Sequence, residues 1–305
     1  MLILSHADVH AALSPEACAQ AMRDVLAARA RGETFMPLRS MMRPPGAGGM
    51  MGLMPAWGMD EFAVKVVCVM PSNPARGLDA HQGVVGLFDG ETGVPAAILD
   101  ASAITEIRTA AVTAVATEAL ARKEARVLAI LGAGVQARAH LRALNGFAEV
   151  RAYARTRTLD GAIPCASAEE AVRGADVIVA ATNSHTPVIE HAWLKPGAHV
   201  NAIGAATPNA YEIEPETFAA ATVFADSRES VESEAGEYRL ARERGLEHGI
   251  AAELGDVLTG AHPGRTSESE LTVFRSLGIA VEDLAAARVA VDTARANAIG
   301  TEVEL

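Results

Sequence analysis

Residues 127–137, Val127-Leu128-Ala129-Ile130-Leu131-Gly132-Ala133-Gly134-Val135-Gln136-Ala137, constrain this chain more than any other stretch. An apolar run reads as a buried strand, and it leads into G-x-G-x-x-A with a helix expected from Gln136. Gly132 permits the tight turn, Gly134 lets a pyrophosphate approach the backbone, and Ala137 keeps helix and strand close. The N–H groups and dipole of the helix N-terminus favour the anion. Short apolar runs recur at 150–153, 177–181, 199–203 and 222–225, with helix-like stretches between most of them. That rhythm predicts a parallel sheet with helices on its faces, hence an α/β Rossmann dinucleotide-binding domain.

The run after the glycine turn bears on cofactor choice. An NAD site usually carries Asp or Glu at the end of its second strand. Here the strand runs into Arg155-Thr156-Arg157. Two guanidiniums and a hydroxyl suit a 2′-phosphate, which arginine grips bidentately. NADP(H) is therefore expected, with NAD(H) possible; the bland reading is a solvated basic turn. Only a few residues separate Arg157 from the next strand-like run at 163–165, too few for a crossover helix. A loop is expected there.

The first third differs. Ser14-Pro15-Glu16 opens an amphipathic helix to about Ala30, which Gly32 ends. The RPPGAGG stretch at 43–49 must be loop. Short β-like runs follow at 50–54, 63–69, 83–89 and 96–100, which read as a smaller α+β sheet of their own. An alanine-rich helix is expected over 105–122, and one or two more over 279–298. The net charge of −12, from 26 Lys and Arg against 38 Asp and Glu, argues against a nucleic-acid partner. No stretch approaches a membrane span, and the start MLILSHADVH carries no secretory signal. Cys18, Cys68 and Cys165 form neither a disulfide framework nor a metal knuckle. The expectation is a cytoplasmic protein with no metal site.

Three basic residues stand in apolar surroundings: Arg39 after Pro37-Leu38, Lys65 in Phe62-Ala63-Val64-Lys65-Val66-Val67, and Arg108 near the start of the expected helix. Each alone reads as a surface or snorkelling cation. A cation at a helix N-terminus is unfavourable, so Arg108 is expected to face an anion. In combination, the segments GLMPA at 52–56, AVK at 63–65, AHQG at 80–83, ITEIRTAA at 104–111, ILGAGVQA at 130–137 and VFRSLG at 273–278 resemble the ornithine cyclodeaminase/mu-crystallin family, in that family's order.

The resemblance implies a homodimer. It also implies a substrate and dimerisation domain formed by 1–112 with 290–305, and a Rossmann domain over 113–289. It implies that Arg39 and Arg108 clamp an α-carboxylate and that Lys65 contacts the carboxylate or the imine region. His81, Gln82 and Thr109 would lie near the cofactor, and Val135 and Gln136 would cover the pyrophosphate. Thr182 and Gly204 would line the far wall, and Ser276 and Leu277 would close over the nicotinamide. Asp226 would be catalytic or a strand-end cap.

Two departures sort the family's members. Ornithine cyclisers carry a glutamate where this chain has Gly52, and deaminating members an aspartate where it has Ala206. Alanine cannot act as a base. The pattern is similar to mu-crystallin and the ketimine reductases. The expected activity is NADPH-dependent reduction of α-imino acids, such as pyrroline-2-carboxylate or piperideine-2-carboxylate, to L-amino acids. An alanine-type dehydrogenase, an ornithine cyclodeaminase and a non-enzymatic ligand-binding protein are the alternatives.

Overall fold

The computed structural model describes residues 1–205, 207–246 and 249–304, so Ala206 lies outside the described residues. The chain forms two compact units, Met1–Ala111 with Ile279–Leu305, and Val112–Gly278.

The first unit begins with β1 (Leu2–Leu4), α1 (His6–Ala12) and α2 (Pro15–Ala30). Ser14 caps α2 through the Ala17 N–H, with Pro15 at its first turn. There follow β2 (Ser40–Met42), β3 (Met50–Gly58), β4 (Glu61–Val69), β5 (His81–Asp89) and β6 (Pro95–Asp100), an antiparallel meander. Strands β3 and β4 run beyond the expected 54 and 63. Met59 and Asp60, both at positive φ, turn the chain in two residues. Pro55 is tolerated inside β3 because Trp57, two residues on, bonds Phe35 on the side opposite β4. By strand parity the missing N–H of Pro55 faces that same side, past the end of β2, so no bond to β4 is lost.

Helix α3 (Ala101–Leu120) leads from one unit to the other. It starts four residues before the expected Thr105, because the Asp100 carboxylate accepts from the Ala103 N–H at 2.8 Å. Arg108 is therefore two turns into the helix, and the dipole argument for an anion beside it does not apply.

The second unit holds β7 (Val127–Leu131), α4 (Val135–Ala143), β8 (Glu149–Tyr153), β9 (Ile163–Pro164), α5 (Ala168–Val172), β10 (Val177–Ala180) and β11 (His199–Ala202). Then come α6 (Pro215–Ala220), β12 (Thr222–Ala225), α7 (Arg228–Glu234), α8 (Gly236–Glu243), β13 (Ala252–Glu253), α9 (Leu254–Leu258) and β14 (Thr272–Arg275). All strands pair in parallel, in the order β13-β12-β14-β11-β10-β7-β8-β9. Leu128 and Ile130 pack on one face of β7, Ala129 and Leu131 on the other. Burial on both faces is why these strands read as continuous apolar runs. The link from β8 to β9 is a loop. Strand β14 was hidden in the sequence, since it is four residues long and ends in Arg275, which is fully buried.

The chain then returns to the first unit as α10 (Ala280–Asn297), one helix, and β15 (Thr301–Glu302). The expected boundary at 289/290 would cut α10; the structure puts the crossing at Gly278/Ile279 and keeps the helix whole. Helix α10 packs against α2 and the inner face of β3, β4 and β5, where Met54, Ala63, Val67 and Val85 are buried. No described helix is long and apolar enough to cross a membrane.

Candidate active site

In the second unit, the expected cofactor residues lie at the carboxyl ends of adjacent strands. Gly132 follows β7, Arg155-Thr156-Arg157 follow β8, Thr182 follows β10, Gly204 follows β11, and Ser276 and Leu277 follow β14. The strand order reverses beside β7, with β8 on one side and β10 on the other, which is where open parallel sheets bind ligands. Gly132 sits at φ +119°, and a Cβ there would lie 2.5 Å from the Ala181 carbonyl oxygen. Only glycine fits. Gly134 caps α4 without a side-chain acceptor, and a Cβ on it would meet nothing within 4 Å. Ala137 is fully buried under the turn, while Val135 is exposed and Gln136 half-buried. A helix start without a side-chain cap fits a dinucleotide pyrophosphate. Arg155, Thr156 and Arg157 are exposed.

Two buried carboxylates build this edge. Glu212 accepts from the N–H and hydroxyl of Thr182, both at 2.7 Å, and from the N–H groups of Gly204 and Ala205. Burial pushes its pKa up to about 7, against the pull of those donors. A Cβ on Gly204 would lie 2.0 Å from the Thr182 carbonyl oxygen, so these two turns touch. Asp226 accepts from the Ser227 N–H, the Ser276 hydroxyl and the N–H groups of Leu277 and Gly278. Burial raises its pKa as well. The Asp226 carboxylate, a catalytic candidate or a cap by the sequence, is held by these donors against the Ser276–Gly278 turn. Glu212 was missed; the acid two residues past Asn209-Ala210 in the run after β11 was its only trace.

In the first unit, strand alternation turns Lys65 to the inner face, where it is 4% exposed. Its Nζ donates to both oxygens of Asp283 at 2.9 Å and to the Thr105 hydroxyl at 3.2 Å. Arg108 donates from Nε to Asp283 at 3.1 Å and from Nη1 to Glu282 at 3.0 Å. The anion expected beside Arg108 therefore comes from α10, two acids that the sequence presented only as a helix start. Burial lowers the pKa of Lys65, and the Asp283 charge opposes that shift. The same burial pushes the nearby Cys18 thiol up to about 12, which leaves it unreactive.

Thr109 is buried beside Arg108, and His81 and Gln82 open β5 on opposite faces, with burial and the charges of Lys65 and Arg108 lowering the pKa of His81. Arg39 is half-buried at the head of β2, the sheet's edge. Gly52 pairs with Met41 and Val67, and a Cβ there would lie 3.0 Å from the Met41 sulfur. A glutamate at this position would have to displace that methionine.

Asp283→Asn removes the charge that opposes the lowering of the Lys65 pKa by burial. Lys65 is charged below its pKa; under the proposal that its proton serves the reaction, its deprotonation is expected to form the alkaline limb of the pH–rate profile. The substitution is expected to move that limb down by about 1–3 pH units. The limb's position, unlike its height, does not depend on how much protein is folded. An unmoved alkaline limb in kcat/KM would show that Asp283 does not tune Lys65.

A family model, the ornithine cyclodeaminase/mu-crystallin family, matches residues 1–298. A mouse (Mus musculus) ketimine reductase mu-crystallin is 40% identical over 276 residues, 86% of each chain. A Thermococcus litoralis Delta(1)-pyrroline-2-carboxylate reductase, solved with NADH and L-proline, superposes with a TM-score of 0.95 at 31% identity, covering 99% of this chain and 100% of that one. An archaeal alanine dehydrogenase dimer with bound NAD gives a TM-score of 0.94 at 32% identity, covering 100% and 99%. With its sheet order, glycine turn and whole-length similarity, the chain belongs to the ornithine cyclodeaminase/mu-crystallin family and is an NAD(P)H-dependent oxidoreductase of that family.

Proposed function

We propose that the chain reduces cyclic α-imino acids, such as pyrroline-2-carboxylate or piperideine-2-carboxylate, to L-amino acids with NADPH. The observation that carries this reading is the buried pair Lys65 and Arg108, fixed by Glu282 and Asp283, in a chain whose other unit holds a dinucleotide turn. Buried cations held by hydrogen bonds are pre-oriented for an anionic substrate at little cost in side-chain entropy. Arg39 and Arg108 grip the α-carboxylate, and Lys65 holds the proton that the imine nitrogen needs. Fixing the carboxylate orients the C=N bond, and orientation supplies most of the rate. When bound, NADPH supplies the hydride.

In the second unit, Gly132, Gly134, Val135, Gln136 and Ala137 carry the pyrophosphate, and Arg155, Thr156 and Arg157 the 2′-phosphate. Thr182 and Gly204, held by Glu212, and Ser276 and Leu277, held by Asp226, shape the rest of the cofactor's bed. Asp226 acts as a positioning residue.

Reduction of a preformed cyclic imine needs no activated water and no group to hold a distal amine, and Ala206 and Gly52 supply neither. A positioned base alone is worth about 10²–10⁴-fold. Oxidation of NADPH by pyrroline-2-carboxylate is expected to be readily measurable, with negligible conversion of L-ornithine to proline and ammonia. Comparable ornithine conversion would restore the cyclodeaminase reading, and faster turnover of pyruvate with ammonia the alanine dehydrogenase one.

Cofactor preference rests on Arg155 and Arg157 standing where an acid would select NAD. Arg155→Ala is expected to raise KM for NADPH about 10–100-fold, as for a lost charge-assisted hydrogen bond, and to leave NADH nearly unchanged. Equal kinetics with both cofactors in the unmutated protein would contradict this.

The homodimer is supported by the outer face of the first unit's sheet. Leu53, Trp57, Phe62 and Val84 are exposed there, with Phe35 beside Trp57 at 68% exposure. An apolar face of this kind marks an interface. Light scattering is expected to give twice the chain mass for the unmutated protein and a lower mass for Phe62→Glu. A monomeric unmutated chain would sink the proposal.

A further inference from the structure

Among the described residues, one group of potential metal ligands comes together, and it lies outside the site above: His6, His10 and Glu106. A ligand atom from each lies within 4.8 Å of the other two. His6 and His10 are four residues apart on α1, whose start is fixed by the Ser5–Asp8 capping box. That spacing places both imidazoles on one helix face, with ring centroids 4.7 Å apart. Glu106 comes from α3, its Oε2 3.7 Å from His10 Nε2. A fourth group backs the cluster: the Asp100 carboxylate lies 3.1 Å from His6 Nδ1.

The donor set determines the ion. Two imidazoles and a carboxylate suit zinc and its neighbours in the first transition row; calcium and magnesium prefer oxygen ligands. Zinc needs bonds of about 2.0–2.2 Å to nitrogen and oxygen, so the side chains must close in slightly. The two histidines are on the surface and free to adjust their rotamers, their side chains 51% and 35% exposed. A carboxylate on the second nitrogen of a histidine fixes the tautomer and raises the basicity of the ligating nitrogen. Asp100 is placed for that role at His6.

We infer that His6, His10 and Glu106 bind one divalent transition-metal ion of the zinc class, with Asp100 orienting His6. The ion would tie α1, the first helix of the chain, to the early turns of α3. Those turns also carry Thr105 and Arg108, the former bonded to Lys65. The role is structural: an ion that binds the folded unit and not the unfolded chain raises the melting temperature.

The test uses the full chain without a histidine tag, freed of metal by chelator and titrated with Zn²⁺ by calorimetry, and with Co²⁺ followed by its visible absorption. The expected result is one ion per chain and a melting temperature that rises with Zn²⁺. His10→Ala and Glu106→Gln are each expected to weaken binding about tenfold or more. Both variants should keep metal-free NADPH-dependent turnover. Absence of stoichiometric Zn²⁺ binding by the unmutated chain would overturn the inference. So would a Zn²⁺ affinity unchanged by His10→Ala.

Discussion

The carboxylate of Asp283 is the interaction on which the first unit depends. It lies between Lys65 on β4 and Arg108 on α3, with Glu282 completing a charge-balanced group. Removing two cations and two anions from water costs several kcal/mol per ion, and mutual pairing with good geometry offsets that cost. Deleting one member of such a group leaves an uncompensated charge, at about 3–5 kcal/mol. The members come from positions 65, 108, 282 and 283, so the group closes only when the chain returns from the second unit. The crossing at Gly278/Ile279, four residues before Glu282, follows from that need.

The second unit uses buried acids in the same way but pairs them with backbone N–H groups. Glu212 joins the turns after β10 and β11, and Asp226 joins the start of α7 to the turn after β14. A third device is Arg275, which pairs with the buried Glu237 and donates to the carbonyls of Ala202, Ala205 and Ser276. Together they hold the loops at the carboxyl edge of the sheet, where a dinucleotide binds in parallel sheets. Preorganised loops of this kind lower the entropic cost of binding.

The parallel sheet was legible because strands buried on both faces must be apolar throughout, and because Gly132-Ala133-Gly134 admits few structures. The helix over Pro15–Ala30 was legible from its serine cap and proline. The longer β3 was not, because Pro55 reads as a strand breaker until the open side of β3 is known. The start of α3 lies earlier than its pattern suggests because Asp100 ends a strand and is also the cap of the helix. Among site residues, Lys65 and Arg108 stood out as cations in apolar runs. Their partners did not: Glu282 and Asp283 look like ordinary acids in a first helical turn. Glu212's partners, and the meeting of His6 and His10 with Glu106, depend on tertiary contacts that no local pattern encodes.

Hydride transfer to the carbon of a preformed α-imino acid is the step that defines the proposed reaction. NADPH carrying deuterium at C4, on each face in turn, tests it most directly, with pyrroline-2-carboxylate as acceptor and the product analysed by mass and by chirality. The expected product is L-proline with deuterium at Cα from one of the two labelled cofactors and unlabelled L-proline from the other. Proline unlabelled from both, or racemic at Cα, would contradict it.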